Sequence, residues 1–141
     1  MEKKRLFKIM AKADGEIIAK LSEKIKERHE IVVIKMPGKT LTMIQMREPV
    51  KNSLFYIGEV MVCEAMVELD GTKGMAVTMG DDFDKTLDMA VIDAACNKGV
   101  FYDEAALLEL ERAQVEQEER ENALHLRTMV NFTSMDQEAA V

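Results

Sequence analysis

The chain has 141 residues, 48% of them apolar and 32% charged, with a net charge of −7. That length suits one domain able to bury roughly two thirds of its unfolded surface, and the composition excludes wholesale disorder. No apolar run approaches the ~20 residues of a membrane-spanning helix, and Lys8 and Lys12 interrupt the basic N-terminus, which therefore does not read as a signal peptide. Two cysteines make no disulfide framework, so the cytoplasm is the expected compartment.

Leu6, Phe7, Ile9 and Met10 cluster within Lys4 to Ala13, enough for a short helix that Asp14-Gly15 interrupts. Asp14 is placed to cap a second helix over about Glu16 to Arg28, where Ile17, Ile18, Leu21 and Ile25 fall at helical spacing. The β-branched run Ile31–Met36 predicts a strand, Pro37-Gly38 a turn, and Thr40–Met46 a second, antiparallel strand. A third strand is expected from Phe55 to Leu69, long enough to need a bulge, with Gly58 as the candidate position. Both of its faces are largely apolar, which reads as a central strand. Asp70-Gly71 is the strongest short turn signal, and Gly74–Met79 returns as a fourth strand.

Gly80-Asp81-Asp82 opens a helix that is apolar on two sides and stops at Asn97-Lys98-Gly99. Asp103 then caps a long helix whose middle, Glu116 to Asn122, contains no apolar residue. Beyond it the chain turns apolar again at Leu124, Leu126, Met129, Val130, Phe132 and Met135. A polar spacer before an apolar segment reads as an arm that docks on a partner, giving a domain over 1–122 and an arm over 123–141. The alternative is an arm folded back on its own sheet. The expected fold is α+β: a mainly antiparallel sheet of about four strands, packed helices, and a C-terminal helical arm.

Charge is unevenly shared: residues 1–54 hold 13 Lys/Arg against 7 Asp/Glu, and residues 55–141 hold 6 against 19. Such asymmetry accompanies complementary surfaces. The basic residues spread along helix faces, and aromatics make up only 5%, so nucleic acid is not the expected partner. Twelve methionines are unusually many; a Met-tolerant core is the favoured explanation, and a contribution from interfaces is the alternative.

Chemistry is hard to assemble from these residues. His29 and His125 are far apart, Cys63 and Cys96 form no close pair, and no metal set emerges. No serine has a glycine elbow, and no phosphate loop or dinucleotide fingerprint is present. Glu59, a carboxylate within an apolar strand, is the one acid–base candidate, though Glu64 and Glu68 on the same strand make a polar edge an equal explanation. No catalytic or metal-ligating residue is assigned.

In order along the chain, Gly58-Glu59-Val60-Met61-Val62, Ala65-x-Val67-x-Leu69, Gly71, Gly74, Gly80-x-Asp82 and Ile92-Asp93-Ala94-Ala95 resemble the G subunit of the bacterial carbon–phosphorus lyase core complex (PhnG). Val130-Asn131-Phe132-Thr133-Ser134-Met135 is similar to that family's closing Val-Asp-Phe-x-x-Met segment, with Asn131 in place of the acidic residue. The resemblance implies a role in phosphonate breakdown. It implies an accessory subunit that works with subunits H, I and J and with the L subunit. Together they transfer the ribose triphosphate of ATP onto methylphosphonate and displace adenine. ATP is then a substrate of the complex, with no cofactor bound by this chain alone, and the chemistry is attributed to the I and J subunits. Self-association is expected when the chain is alone. Two rival readings are a homo-oligomeric enzyme with an interface site at Glu59 and an unrelated scaffold module.

Overall fold

A computed structural model describes residues 1–132. Two helices, α1 (Lys3–Lys12) and α2 (Gly15–Lys26), precede β1 (Ile31–Arg47), β2 (Leu54–Leu69) and β3 (Thr72–Met79). Helices α3 (Phe83–Lys98) and α4 (Glu104–Arg127) complete the order. The three strands form one antiparallel sheet in the order β1-β2-β3, so the fold is α+β as expected.

The expected fourth strand is absent from this sheet. Ile31–Met36 and Thr40–Met46 belong to a single 17-residue strand that passes through Pro37-Gly38 without turning. Proline lacks a ladder donor, but β1 is an edge strand with one side unpaired, so the ring is tolerated there. Its cost appears as irregularity: the β1–β2 register slips between Val33 and Lys35 and again between Lys35 and Gly38. The true turn lies at residues 48–53. There the Glu48 carboxylate accepts from the amides of Val50 at 2.8 Å and Lys51 at 2.6 Å, and Arg47 Nη1 donates to the Asn52 carbonyl at 2.8 Å.

Asp70 and Gly71 join β2 to β3 in a two-residue turn with φ of 45° and 85°, the paired positive values of a type I′ hairpin. Gly74 allows the closest approach in the fold. A Cβ there would lie 2.3 Å from both the Ala90 carbonyl oxygen and the Ala94 nitrogen of α3. Through that contact α3 seats on β2 and β3, with α2 on its far side. Val67, Ala76, Met89, Ala90, Ile92 and Ala94 form the centre of the core, each no more than 1% exposed.

The helix signals were read correctly at α2 and α3. Asp14 accepts from the Glu16 amide at 3.2 Å, Asp82 accepts from the Lys85 amide at 3.1 Å, and Gly99 ends α3 in the left-handed region at φ 79°. Asp103 makes no side-chain cap to α4; its carboxylate instead takes the Lys24 ammonium at 3.1 Å. Helix α4 packs along α1, where Arg5 donates to Glu111 at 2.8 and 2.6 Å, Gln114 donates to the Ile9 carbonyl at 3.0 Å, and Lys12 pairs with Glu118. It continues unbroken through the polar stretch Glu116–Asn122 to Arg127.

Candidate functional site

Strand β2 has 16 residues and β3 only eight, and that mismatch creates the most unusual feature of the molecule. Pairing between them covers only Val62–Leu69 of β2. Beyond that point β1 and β2 continue together as a two-stranded ribbon, hereafter the arm. From Leu41 through Glu59 every residue except Glu48 is exposed. Met43 is 55% exposed and its neighbour Ile44 38%, Leu54 54% and its neighbour Phe55 43%, and neighbouring positions of a regular strand point to opposite faces, so both faces of the arm are apolar and open. The register skips Ile57 between the pairs Ile44–Gly58 and Gln45–Tyr56, so the bulge falls beside Gly58, the expected position. A bulge there increases the twist of the ribbon.

The expectation that this strand is central therefore holds only for its second half. Val62 to Leu69 lies between β1 and β3 with Cys63, Ala65, Val67 and Leu69 in the core. Leu54 to Met61 has the same two-sided apolar character but no layer to cover it. The face of the sheet turned away from α3 continues this open surface through Met75, Val77 and Met79. Methionine content is explained here as well, and against the core reading. Of the twelve, Met10 and Met89 are buried, whereas Met1, Met36, Met43, Met46, Met61, Met75, Met79 and Met129 are exposed. Flexible, polarizable side chains of this kind suit adaptable contact surfaces.

The second exposed apolar set is at the end of α4. Leu124, Leu126, Met129, Val130 and Phe132 are all exposed, Phe132 at 93%. Met135, the remaining residue of the predicted docking set, lies outside the described residues. Helix α1 ends at Lys12, opposite Glu118, and from Arg120 to Arg127 every α4 residue is exposed, so among the described residues the last turns of α4 extend past α1.

The ionisable groups are arranged mainly as clamps between elements. Asp93, on α3 and 1% exposed, accepts through Oδ2 from the Met75 amide at 3.1 Å and from Asn97 at 3.2 Å, with the Lys3 ammonium 3.3 Å away. Asp88 accepts from the buried Ser22 hydroxyl and from the Lys26 ammonium, both at 2.6 Å, and so ties α2 to α3. At the β2–β3 turn, Asp70 takes His29 Nδ1 at 2.7 Å, the Glu30 amide at 3.2 Å and Lys98 at 3.3 Å. The His29 contact holds the Asp70 carboxyl below its usual range, with Lys98 adding to the effect. The hydrogen bonds from Arg5 do the same to Glu111.

A cavity of about 190 Å³ between α1, the end of α3 and the start of α4 is lined by Met1, Leu6, Cys96, Gly99, Phe101, Glu104 and Leu107. Burial first, and the charge of Asp93 second, push the Cys96 thiol up to about 11, so it stays protonated at neutral pH. Glu59 sits on the open arm opposite Met43, away from every one of these groups. Among the described residues there is no group of three or more His, Cys, Asp or Glu able to hold a metal ion, and no helix is long and apolar enough to cross a membrane.

The family model described as Phosphonate metabolism protein PhnG matches residues 1–137. The chain belongs to this family. No curated protein matches the sequence. Membership assigns the chain to phosphonate metabolism, and the arm and the α4 end are its two exposed apolar surfaces. The apolar residues at the α4 end were singled out from sequence and are exposed in the structure; the open ribbon was not foreseen. The signal was present in the lengths: sixteen residues of two-sided apolar strand facing a return strand of only eight.

Proposed function

We propose that this protein is an accessory subunit of the assembly that transfers the ribose triphosphate of ATP onto methylphosphonate, a phosphonate oxygen replacing adenine at C1 of the ribose. Its companions are the H, I and J subunits of the carbon–phosphorus lyase core and the L subunit. The observation that carries the reading is the arm, a ribbon with apolar side chains on both faces and no cover from its own chain. Contiguous apolar surface of this kind marks a protein–protein contact. The segment from Ala123 onward, with Leu124, Leu126, Met129, Val130, Phe132 and Met135, is a second docking element. In this reading the chain supplies shape and apolar contact area, and its companions supply the bond-making groups.

The test is reconstitution. The companion subunits are expressed with and without this chain, and adenine released from ATP plus methylphosphonate is measured. Release should require the chain, the chain alone should give none, and it should co-purify with the core subunits. Full release in its absence would overturn the proposal. So would adenine release by the purified chain alone.

A further inference from the structure

We propose that the exposed methionines of the sheet are a modification site: a peroxide converts them to sulfoxides, and the chain then loses its hold on companion subunits without losing its fold. The modification acts on the docking role proposed above for the arm and rests on it. The three strands hold seven of the twelve methionines. Intrinsic strand preference does not account for them, since strands favour β-branched and aromatic residues. Met43, Met46 and Met61 stand on the arm, Met36 on β1 beside Pro37, and Met75 and Met79 on the sheet face turned away from α3, each between 41% and 73% exposed. The seventh, Met66, is partly buried and lies opposite Met75.

Sulfur in the core is shielded. Met10, Met89 and Cys63 are buried, and Cys96 is partly buried with its thiol held protonated at neutral pH. A thiolate is ordinarily the sulfur that meets an oxidant first, and neither cysteine offers one here. The open thioethers are therefore the reachable reductant, and Met1 and Met129, also exposed, lie off the sheet. In the reaction a sulfur lone pair attacks one peroxide oxygen, and the S–O bond forms as the O–O bond breaks. The departing hydroxide takes the proton left on the transferred oxygen. Thioether and hydrogen peroxide thus become sulfoxide and water, sulfur losing the two electrons that the peroxide gains. On the free chain the new oxygen is hydrated and the fold is untouched. Beneath a companion it lies in an apolar contact without a donor, and a buried polar group left without a hydrogen bond is unfavourable.

The test treats the full chain alone with hydrogen peroxide, removes the peroxide, and titrates the chain into the untreated H, I and J subunits. Peptide mass spectrometry reads the modification and circular dichroism the fold. Each of the six exposed sheet methionines should gain one oxygen at a dose that leaves Met10 and Met89 unmodified, with the spectrum unchanged. Binding should weaken roughly tenfold or more and should return after treatment with methionine sulfoxide reductases and a thiol reductant. A variant combining Met36→Leu, Met43→Leu, Met46→Leu, Met61→Leu, Met75→Leu and Met79→Leu should bind as the parent does and be indifferent to peroxide. An oxidised parent that binds as tightly as the untreated one would overturn the modification site and leave the docking reading intact. So would a leucine variant disabled like the parent, or oxidation of Met10 and Met89 in step with the exposed six. An untreated chain that binds no companion would remove the docking reading and the modification site with it.

Discussion

Replacing Gly74 by alanine tests how β3 is held. The added Cβ would meet the Ala90 carbonyl oxygen and the Ala94 nitrogen at 2.3 Å and the Ala94 Cβ at 2.6 Å. Two of those atoms are helix backbone, so no side-chain rotation relieves the clash. The helix and the strand must part by about 1 Å, and a gap of 0.5–1 Å forfeits a quarter to a half of each dispersion contact across it. The contacts at risk involve Val67, Ala76, Ala90 and Ala94, all at most 1% exposed. Overpacking of a tight core typically costs 1–3 kcal/mol, and a backbone clash belongs at the upper end, so we expect a loss of about 3 kcal/mol. With a urea slope on the order of 1.5–2 kcal/mol per M for a chain of this size, the unfolding midpoint should fall by about 1.5–2 M.

The control is Gly58→Ala on the arm, where nothing lies within 4 Å of the new Cβ. That variant should stay within about 1 kcal/mol of the parent. The two midpoints, read from urea titrations followed by circular dichroism, separate close packing at β3 from any general intolerance of alanine in strands. A Gly74→Ala midpoint within 0.3 M of the Gly58→Ala midpoint, roughly half a kcal/mol at that slope, would refute the reasoning.

Other outcomes follow from the same contacts. Asp93→Ala should destabilise by about 1–3 kcal/mol, because it takes the acceptor from the part-buried Met75 amide; chemical denaturation measures this, and a cost under about 0.5 kcal/mol would contradict the assigned role. Asp70→Asn keeps the positive-φ turn but loses the charge. Because the native Asp70 carboxyl sits below its unfolded value, its contribution is present above about pH 4 and is lost as pH falls through the lower native value. The stability gap between parent and Asp70→Asn should therefore be open at pH 7 and narrow as the pH falls below about 4, and a gap independent of pH would exclude the clamp. Cys96, with its thiol near 11, should have a thiolate fraction of about one in a thousand at pH 8 and should alkylate far more slowly than a free thiol, as mass spectrometry would show. Leu41→Lys on the arm should change stability by no more than about 0.5 kcal/mol yet reduce co-purification with companion subunits, whereas Val67→Lys should prevent folding.

Local signals were legible because local physics decides them. Asp70-Gly71 turned as expected because positive φ at two consecutive positions has few solutions, and Asp14, Asp82 and Gly99 ended helices where unpaired amides or a left-handed residue required them. Pro37-Gly38 misled because a proline on an edge strand costs little, and edge status depends on the sheet rather than on neighbouring residues. Two-sided apolar character in Leu54–Met61 was read as burial inside the domain, yet it specifies only that a cover is needed. The preference for a Met-tolerant core over a contact surface failed for the same reason. The clamps at Asp93, Asp88 and Asp70 join residues 18 to 90 positions apart, and nothing in local spacing announces them.

The arm also shows why the apolar surface belongs to function rather than to folding. A two-stranded ribbon in water is marginal by itself, and this one gains no stability from a packed layer. It keeps its form because β2 continues into the sheet at Val62 and because Glu48 and Arg47 tie down the far turn. Those anchors bear on its ends and leave the faces untouched. Had selection acted on the stability of the chain alone, polar residues at Leu41, Met43, Phe55 and Ile57 would cost nothing and would lower the risk of aggregation that an exposed strand edge carries. Apolar side chains there gain free energy only when another molecule covers them, at on the order of 1 kcal/mol for each half-exposed Leu or Met made buried. The bulge beside Gly58 and the charges at Lys51 and Glu59 oppose unspecific stacking of such ribbons.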